Sequence, residues 1–170
     1  MEPAEDDSPD RDTYCTPRHW ARRLGRWDYD PCSNSRSHIE ADHCFDLELR
    51  GQDGLVLARY VPRRARVFCN PPYSRGNVIK WVQAYRHTRF CFLLKHDPST
   101  QWFAELIAYT ATVCFPIGER IEFEPPPGVV ADSNQFPHAF FFASRDIVPP
   151  AVAAACYVQN VEHKRGLAAP

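Results

Sequence analysis

Apolar residues fall along this chain in short, sharply bounded blocks. Phe90-Cys91-Phe92-Leu93-Leu94 is a continuous apolar run of buried-strand length, and Ala139-Phe140-Phe141-Phe142-Ala143 is another. The stretch from Ala111 to Ile117 adds a third strand candidate. Arg66-Val67-Phe68-Cys69 is a shorter β-rich run, stopped by Asn70-Pro71-Pro72. Between these runs the spacing becomes helical. Val78, Trp81, Val82 and Tyr85 predict a helix over residues 77–87. Ser99 or Thr100 can cap a second helix carrying Trp102, Phe103, Leu106 and Ile107. Trp20, Leu24 and Trp27 predict a short helix with Thr16 as N-cap and Pro17 at its first position. Trp27-Asp28-Tyr29-Asp30 then reads as a strand ending at Pro31. Residues 32–64 show little period, so their elements stay unassigned, and residues 118–137, with prolines at 125, 126 and 127, read as a loop or a broken hairpin.

Strands alternating with helices define an α/β chain with a largely parallel sheet. At 170 residues there is room for one globular domain and not for two ordinary ones. Residues 1–12 are expected to be a disordered acidic tail, 13–148 the domain itself, and 149–170 an extension with no assigned structure. No run approaches the roughly 18 to 20 apolar residues needed to cross a bilayer. The first residues form neither a basic nor an apolar signal segment, so a cytoplasmic protein with no membrane partner is expected.

Charge changes the picture through its distribution. The net charge is −1, but residues 1–12 carry six acids against one base. Residues 13–100 carry 15 bases against eight acids, and residues 101–170 carry four against seven. The basic middle can neutralise phosphates, which permits a nucleic-acid partner without requiring one. The seven cysteines include no C-x-x-C pair, and their smallest gap is 12 residues, from Cys32 to Cys44. That spacing suits buried free thiols and argues against a zinc module, so no metal is expected.

The chemistry concentrates in Asn70-Pro71-Pro72-Tyr73, at the end of one predicted strand and just before a predicted helix. Ligands bind in that crevice of open α/β sheets. Pro72 has no N–H, which leaves the Pro71 carbonyl free of ladder bonding. That carbonyl and the Asn70 side-chain oxygen are two acceptors able to hold an NH₂ group by its hydrogens and to stabilise positive charge developing on its nitrogen. Tyr73 offers a flat face for a planar substrate.

These residues sit within a longer resemblance to the Dam-like DNA N6-adenine methyltransferases of phages and prophages. Tyr14-Cys15-Thr16-Pro17 resembles the family's W-x-T-P, and Trp27-Asp28-Tyr29-Asp30-Pro31-Cys32-Ser33 resembles its F-x-L-D-P-C-A segment. Ala41-Asp42, Asp53-Gly54-Leu55, the N-P-P-Y loop with Lys80-Trp81-Val82, Leu93-Leu94, Trp102-Phe103 and Gly118-Glu119-Arg120-Ile121-Glu122-Phe123 continue it in order. The resemblance implies a compact single-domain, Rossmann-like methyltransferase fold with a C-terminal β-hairpin. It also implies S-adenosylmethionine as methyl donor and adenine in DNA as acceptor, in a restriction-modification or phage setting. On that basis Thr16, Pro17, Asp30, Pro31, Cys32, Ser33, Asp42, Asp53 and Asn70 are expected at the cofactor. Asn70, Pro71, Pro72 and Tyr73 are expected at the chemistry, and Tyr73, Ser74, Arg75, Arg120 and Phe123 at the substrate. Phe123 reads first as an ordinary core aromatic and only second as a stacking face; Cys69 reads as strand packing, and His96 and His138 as structural or exposed. The same loop logic serves N4 of cytosine or a glutamine amide, and a non-catalytic DNA-binding protein on the same scaffold is a further alternative.

Overall fold

The computed structural model describes residues 13–73, 78–130 and 136–163. The expected acidic tail, Ser74, Arg75 and the start of the helix expected from residue 77 lie outside them. In chain order the helices are α1 (Arg18–Leu24), α2 (Leu47–Arg50), α3 (Gly54–Leu57), α4 (Val78–Tyr85), α5 (Gln101–Ile107) and α6 (Pro150–Ala154). The strands are β1 (Arg26–Ser33), β2 (Glu40–Asp46), β3 (Arg66–Cys69), β4 (Arg89–Lys95), β5 (Thr112–Pro116), β6 (His138–Phe142) and β7 (Cys156–Asn160). They form one sheet in the order β2-β1-β3-β4-β6-β5-β7. The first four strands pair in parallel, and β6 enters antiparallel between β4 and β5. The sheet is therefore mixed, parallel on one side and antiparallel on the other.

The central strands are apolar throughout because both their faces are covered. Along β4, Phe90, Phe92 and Leu94 join one buried cluster with Trp81, Val82, Tyr85 and Leu106 from α4 and α5. Cys91 and Leu93 join the other, with Trp20 and Leu24 of α1 and Val152 of α6. Phe140 and Phe142 point to the second cluster and Phe141 to the first, as alternation along a strand requires. Fully burying such a side chain contributes roughly 1.5–3 kcal/mol, so the Phe-rich β6 ties the two helical layers together.

Several local expectations are corrected. Pro17, not Thr16, stands at the N-cap of α1, without a side-chain cap, and Trp27 lies in β1 rather than in the helix. β1 does not stop at Pro31. It runs on to Ser33 through a register shift against β2 between Asp30 and Ser33, which accommodates a residue with no N–H to donate. The segment without clear period contains a strand after all, β2, parallel to β1. Residues 118–137, expected as a loop or a broken hairpin, do connect the antiparallel neighbours β5 and β6. Beyond residue 149, α6 packs in the layer of α1 and β7 extends the sheet alongside β5.

Candidate active site

Chain order reverses at β1, which has β2 on one side and β3 on the other. Loops leaving neighbouring strands at such a point diverge and open a crevice. The segments carrying Asp30 and Asn70 leave β1 and β3 here, and the Cys32 and Cys69 sulfurs lie 3.5 Å apart. Burial pushes both thiols above their usual range, which keeps them protonated packing groups.

Asp30 is 3% exposed. Its carboxylate accepts from the Cys32 N–H at 3.2 Å and the Ser37 hydroxyl at 3.4 Å, yet burial still raises its pKa to about 7. Gly54 explains how tightly the next loop packs: a Cβ there would stand 2.1 Å from the Pro31 carbonyl oxygen and 2.9 Å from the Trp81 ring. Only glycine lets α3 approach β1 this closely. Asp53 caps α3, accepting from the Leu55 N–H at 2.8 Å, and the Tyr85 hydroxyl donates to the Gly54 carbonyl at 2.5 Å.

Asn70 is half-buried, and its side-chain Nδ2 donates to the buried Thr16 hydroxyl at 3.5 Å. The hydroxyl expected to cap α1 thus orients the amide instead and leaves Asn70 Oδ1 to accept elsewhere. Pro71 is buried behind it. The Tyr73 hydroxyl accepts the Lys95 N–H at 2.8 Å, and the Lys95 ammonium lies 4.7 Å from the ring centroid. Burial raises the Tyr73 pKa above its ordinary value, so it remains a phenol.

His138 proves to be buried at the start of β6, where its edge-to-face contacts reach Tyr73 at 6.4 Å and Phe123 at 4.9 Å. Its Nδ1 lies 3.1 Å from the Phe136 carbonyl, and burial lowers its pKa to about 4. It is neutral at ordinary pH. Phe123 itself packs partly buried against the core. His96 lies between Phe103 and Phe115 in edge-to-face contacts at 5.4 and 5.1 Å.

Sequence reasoning missed the strap that joins these parts. Cys15 and Glu124 exchange two backbone hydrogen bonds of 2.9 Å. The Glu124 carboxylate also accepts from the Arg18 N–H at 3.0 Å and pairs with His38 at 2.7 Å. Arg36 donates to the carbonyls of Thr13 and Pro125, while Asn34 accepts from the Cys15 thiol and the Arg36 N–H. The turn-forming string Asn34-Ser35-Arg36-Ser37 was the available signal.

The expected site residues thus divide. Thr16, Pro17, Asp30, Pro31, Cys32, Ser33, Asp53, Asn70, Pro71, Pro72 and Tyr73 lie on the segments that meet around the crevice. Arg120 is exposed on the connection after β5. Asp42 lies elsewhere: it is exposed, paired with Arg26 near the start of β1, four residues before the end of β2. The acid at that end is Asp46, buried and in register with Ser33. Among the described residues, no three His, Cys, Asp or Glu side chains are grouped as a metal would need. No helix among them is long and apolar enough to cross a membrane.

In open α/β sheets, ligands and cofactors bind at a topological switch point such as the one at β1. The family model for DNA N-6-adenine-methyltransferase (Dam) matches residues 7–152, and the chain belongs to that family. No curated protein and no solved structure matches it.

Proposed function

We propose that this protein is an S-adenosylmethionine-dependent methyltransferase of Rossmann-like fold that methylates the exocyclic N6 amine of adenine in DNA. The observation that carries the reading is the Asn70 amide, turned by Thr16 so that its oxygen is left to accept, beside the Pro71 carbonyl in a chain of the Dam family.

The crevice suits the cofactor by its donor set. Asp46, at the end of β2, is an acceptor for a ribose diol, as acids at this position are in related nucleotide-binding folds. Asp53 caps α3 beside Gly54, which packs against the Pro31 carbonyl, and the Gln52 side-chain oxygen is buried without a hydrogen-bond partner. Asp30 becomes a carboxylate beside a cationic ammonium, because an adjacent positive charge offsets the burial that raises its pKa. S-adenosylmethionine held there would supply an electrophilic methyl on a sulfonium sulfur, with the neutral thioether as leaving group and one amine proton lost after transfer.

The chain's own residues do the positioning. Asn70 Oδ1 and the Pro71 carbonyl accept the two N–H groups of a flipped adenine, which aims the lone pair out of the base plane. Both acceptors stabilise the nitrogen as it becomes cationic. Tyr73, anchored through its hydroxyl to the Lys95 N–H, gives the base a fixed face, and Phe123 can offer a second one. His138, neutral and edge-on to both rings, helps to fix them.

The test is transfer of labelled methyl from S-adenosylmethionine to unmethylated duplex DNA, with nucleoside analysis of the product. N6-methyladenine is expected. N4-methylcytosine keeps the loop chemistry and corrects the base, while no transfer by folded, DNA-binding protein sinks the catalytic reading in favour of a binding one.

A further inference from the structure

Residues 58–64 run from a 3₁₀ turn (Ala58–Tyr60) to the start of β3. The segment reads Ala-Arg-Tyr-Val-Pro-Arg-Arg and holds no acid. Arg59, Tyr60, Arg63 and Arg64 are exposed, whereas Val61 is buried and fixes the loop to the core. Among the described residues, neither Arg59, Arg63 nor Arg64 makes an ion pair, unlike Arg26, Arg86 and Arg89. Tyr60 is 65% exposed, with the Arg59 guanidinium 4.9 Å from its ring centroid.

This loop lies at the opposite end of the sheet from the crevice. Ala65 accepts the Arg89 N–H at the N-terminal end of β4, while Asn70 follows the C-terminal end of β3. Arg64 and Asn70 are six residue steps apart along the chain through β3, at most about 20 Å at ~3.3 Å per residue. The loop therefore lies apart from the candidate catalytic end of the sheet.

We infer that residues 58–64 form a second, non-catalytic contact for single-stranded nucleic acid. Unpaired arginines neutralise backbone phosphates, and an exposed tyrosine stacks on the face of an unpaired base. A duplex hides its base faces, and an acidic protein surface gives Tyr60 nothing planar to stack on. The single strand is therefore the partner that uses both halves of the loop.

The probe is a fluorescent oligothymidylate of about 10 nucleotides, within the range that such sites cover. It contains no adenine, so it is not a substrate of the crevice. Wild-type protein binds it with strong salt dependence. The triple variant Arg59→Ala, Arg63→Ala, Arg64→Ala lowers the slope of log K against log salt by about 2, at roughly 0.7 per phosphate contact on a single strand. Tyr60→Ala weakens binding by about tenfold, a typical loss for one stacked base, and Tyr60→Phe restores it. Methyl transfer to a short duplex is the same in every variant, and so is the urea midpoint, since the substituted side chains are exposed. Oligothymidylate binding that is absent in wild type, or equal across the variants, overturns the inference; equal binding would leave the loop to an acidic protein partner. The result stands apart from the catalytic reading, because absence of methyl transfer does not alter what the loop variants do to this probe.

Discussion

The two ends of the β1–β3–β4 unit use polar groups in opposite ways. At the C-terminal end, Asp30 and Thr16 are buried, Asn70 is half-buried, and each is held by another part of the chain. At the N-terminal end, Arg26 pairs with Asp42 and Arg89 with Asp146 in the open. Arg66 lies 4.8 Å over the Trp27 ring, and its N–H donates to Asp28 at 2.7 Å. Groups removed from water must satisfy one another, and their removal is costly; groups left in water lose little when a partner goes. The end proposed to bind ligand is the end where the fold has already borne the desolvation.

Substitutions can break or sharpen that contrast. The largest effect belongs to Asn70→Ala, which removes an acceptor from the reacting amine. Methyl transfer should fall about 10²–10³-fold with little change in DNA affinity, read from single-turnover rates beside a binding isotherm. A fall in affinity alone would assign Asn70 to binding.

Asp30 comes next. Folding lifts its carboxyl to about 7, from roughly 3.9 in an unfolded chain. A carboxyl that holds its proton more tightly when folded contributes stability that is fully present below pH ~4 and is lost as pH rises towards about 7. A difference of about three pH units sets an upper bound of roughly 4 kcal/mol. Asp30→Asn cannot ionise, so urea titrations should show it gaining on wild type across that window. Parallel pH profiles for the two proteins would mean that Asp30 is ionised throughout.

Gly54→Ala drives a methyl group into the Pro31 carbonyl and the Trp81 ring, and should cost about 1–3 kcal/mol in urea unfolding, as overpacking does. An unchanged midpoint would show that α3 can move away from β1. Thr16→Val keeps the shape but removes the hydroxyl that orients Asn70. Losing one such bond is worth about 1 kcal/mol, which should appear as a several-fold lower transfer rate that Thr16→Ser rescues. Smallest of all, Arg26→Ala breaks an exposed pair and should leave the melting temperature where it was. A clear drop there would erase the difference between the two ends.

How much of this is legible in the sequence depends on how local the cause is. β4 and β6 stand out because a strand buried on both faces needs an unbroken apolar run. α4 stands out because Val78, Trp81, Val82 and Tyr85 all face inward. β2 does not, since Glu40-Ala41-Asp42-His43-Cys44-Phe45-Asp46 lies on the sheet edge with only its last residue buried. Without β2 in place, Asp42 and Asp46 could not be ranked: the relevant fact is which one stands at the end of the strand.

The sequence by itself determined the α/β class, the strand-to-turn setting of Asn70-Pro71-Pro72-Tyr73 and the family. Apolar runs, helical spacing and the stiffness of proline act within a few residues and need no partner. Only the tertiary structure decided that the Thr16 hydroxyl serves Asn70 across 54 positions, and that Glu124 closes on Cys15, Arg18 and His38. It alone put His138 between Tyr73 and Phe123. Those contacts depend on strand order and register, which come from burying both faces of the whole sheet at once, and no single segment contains them.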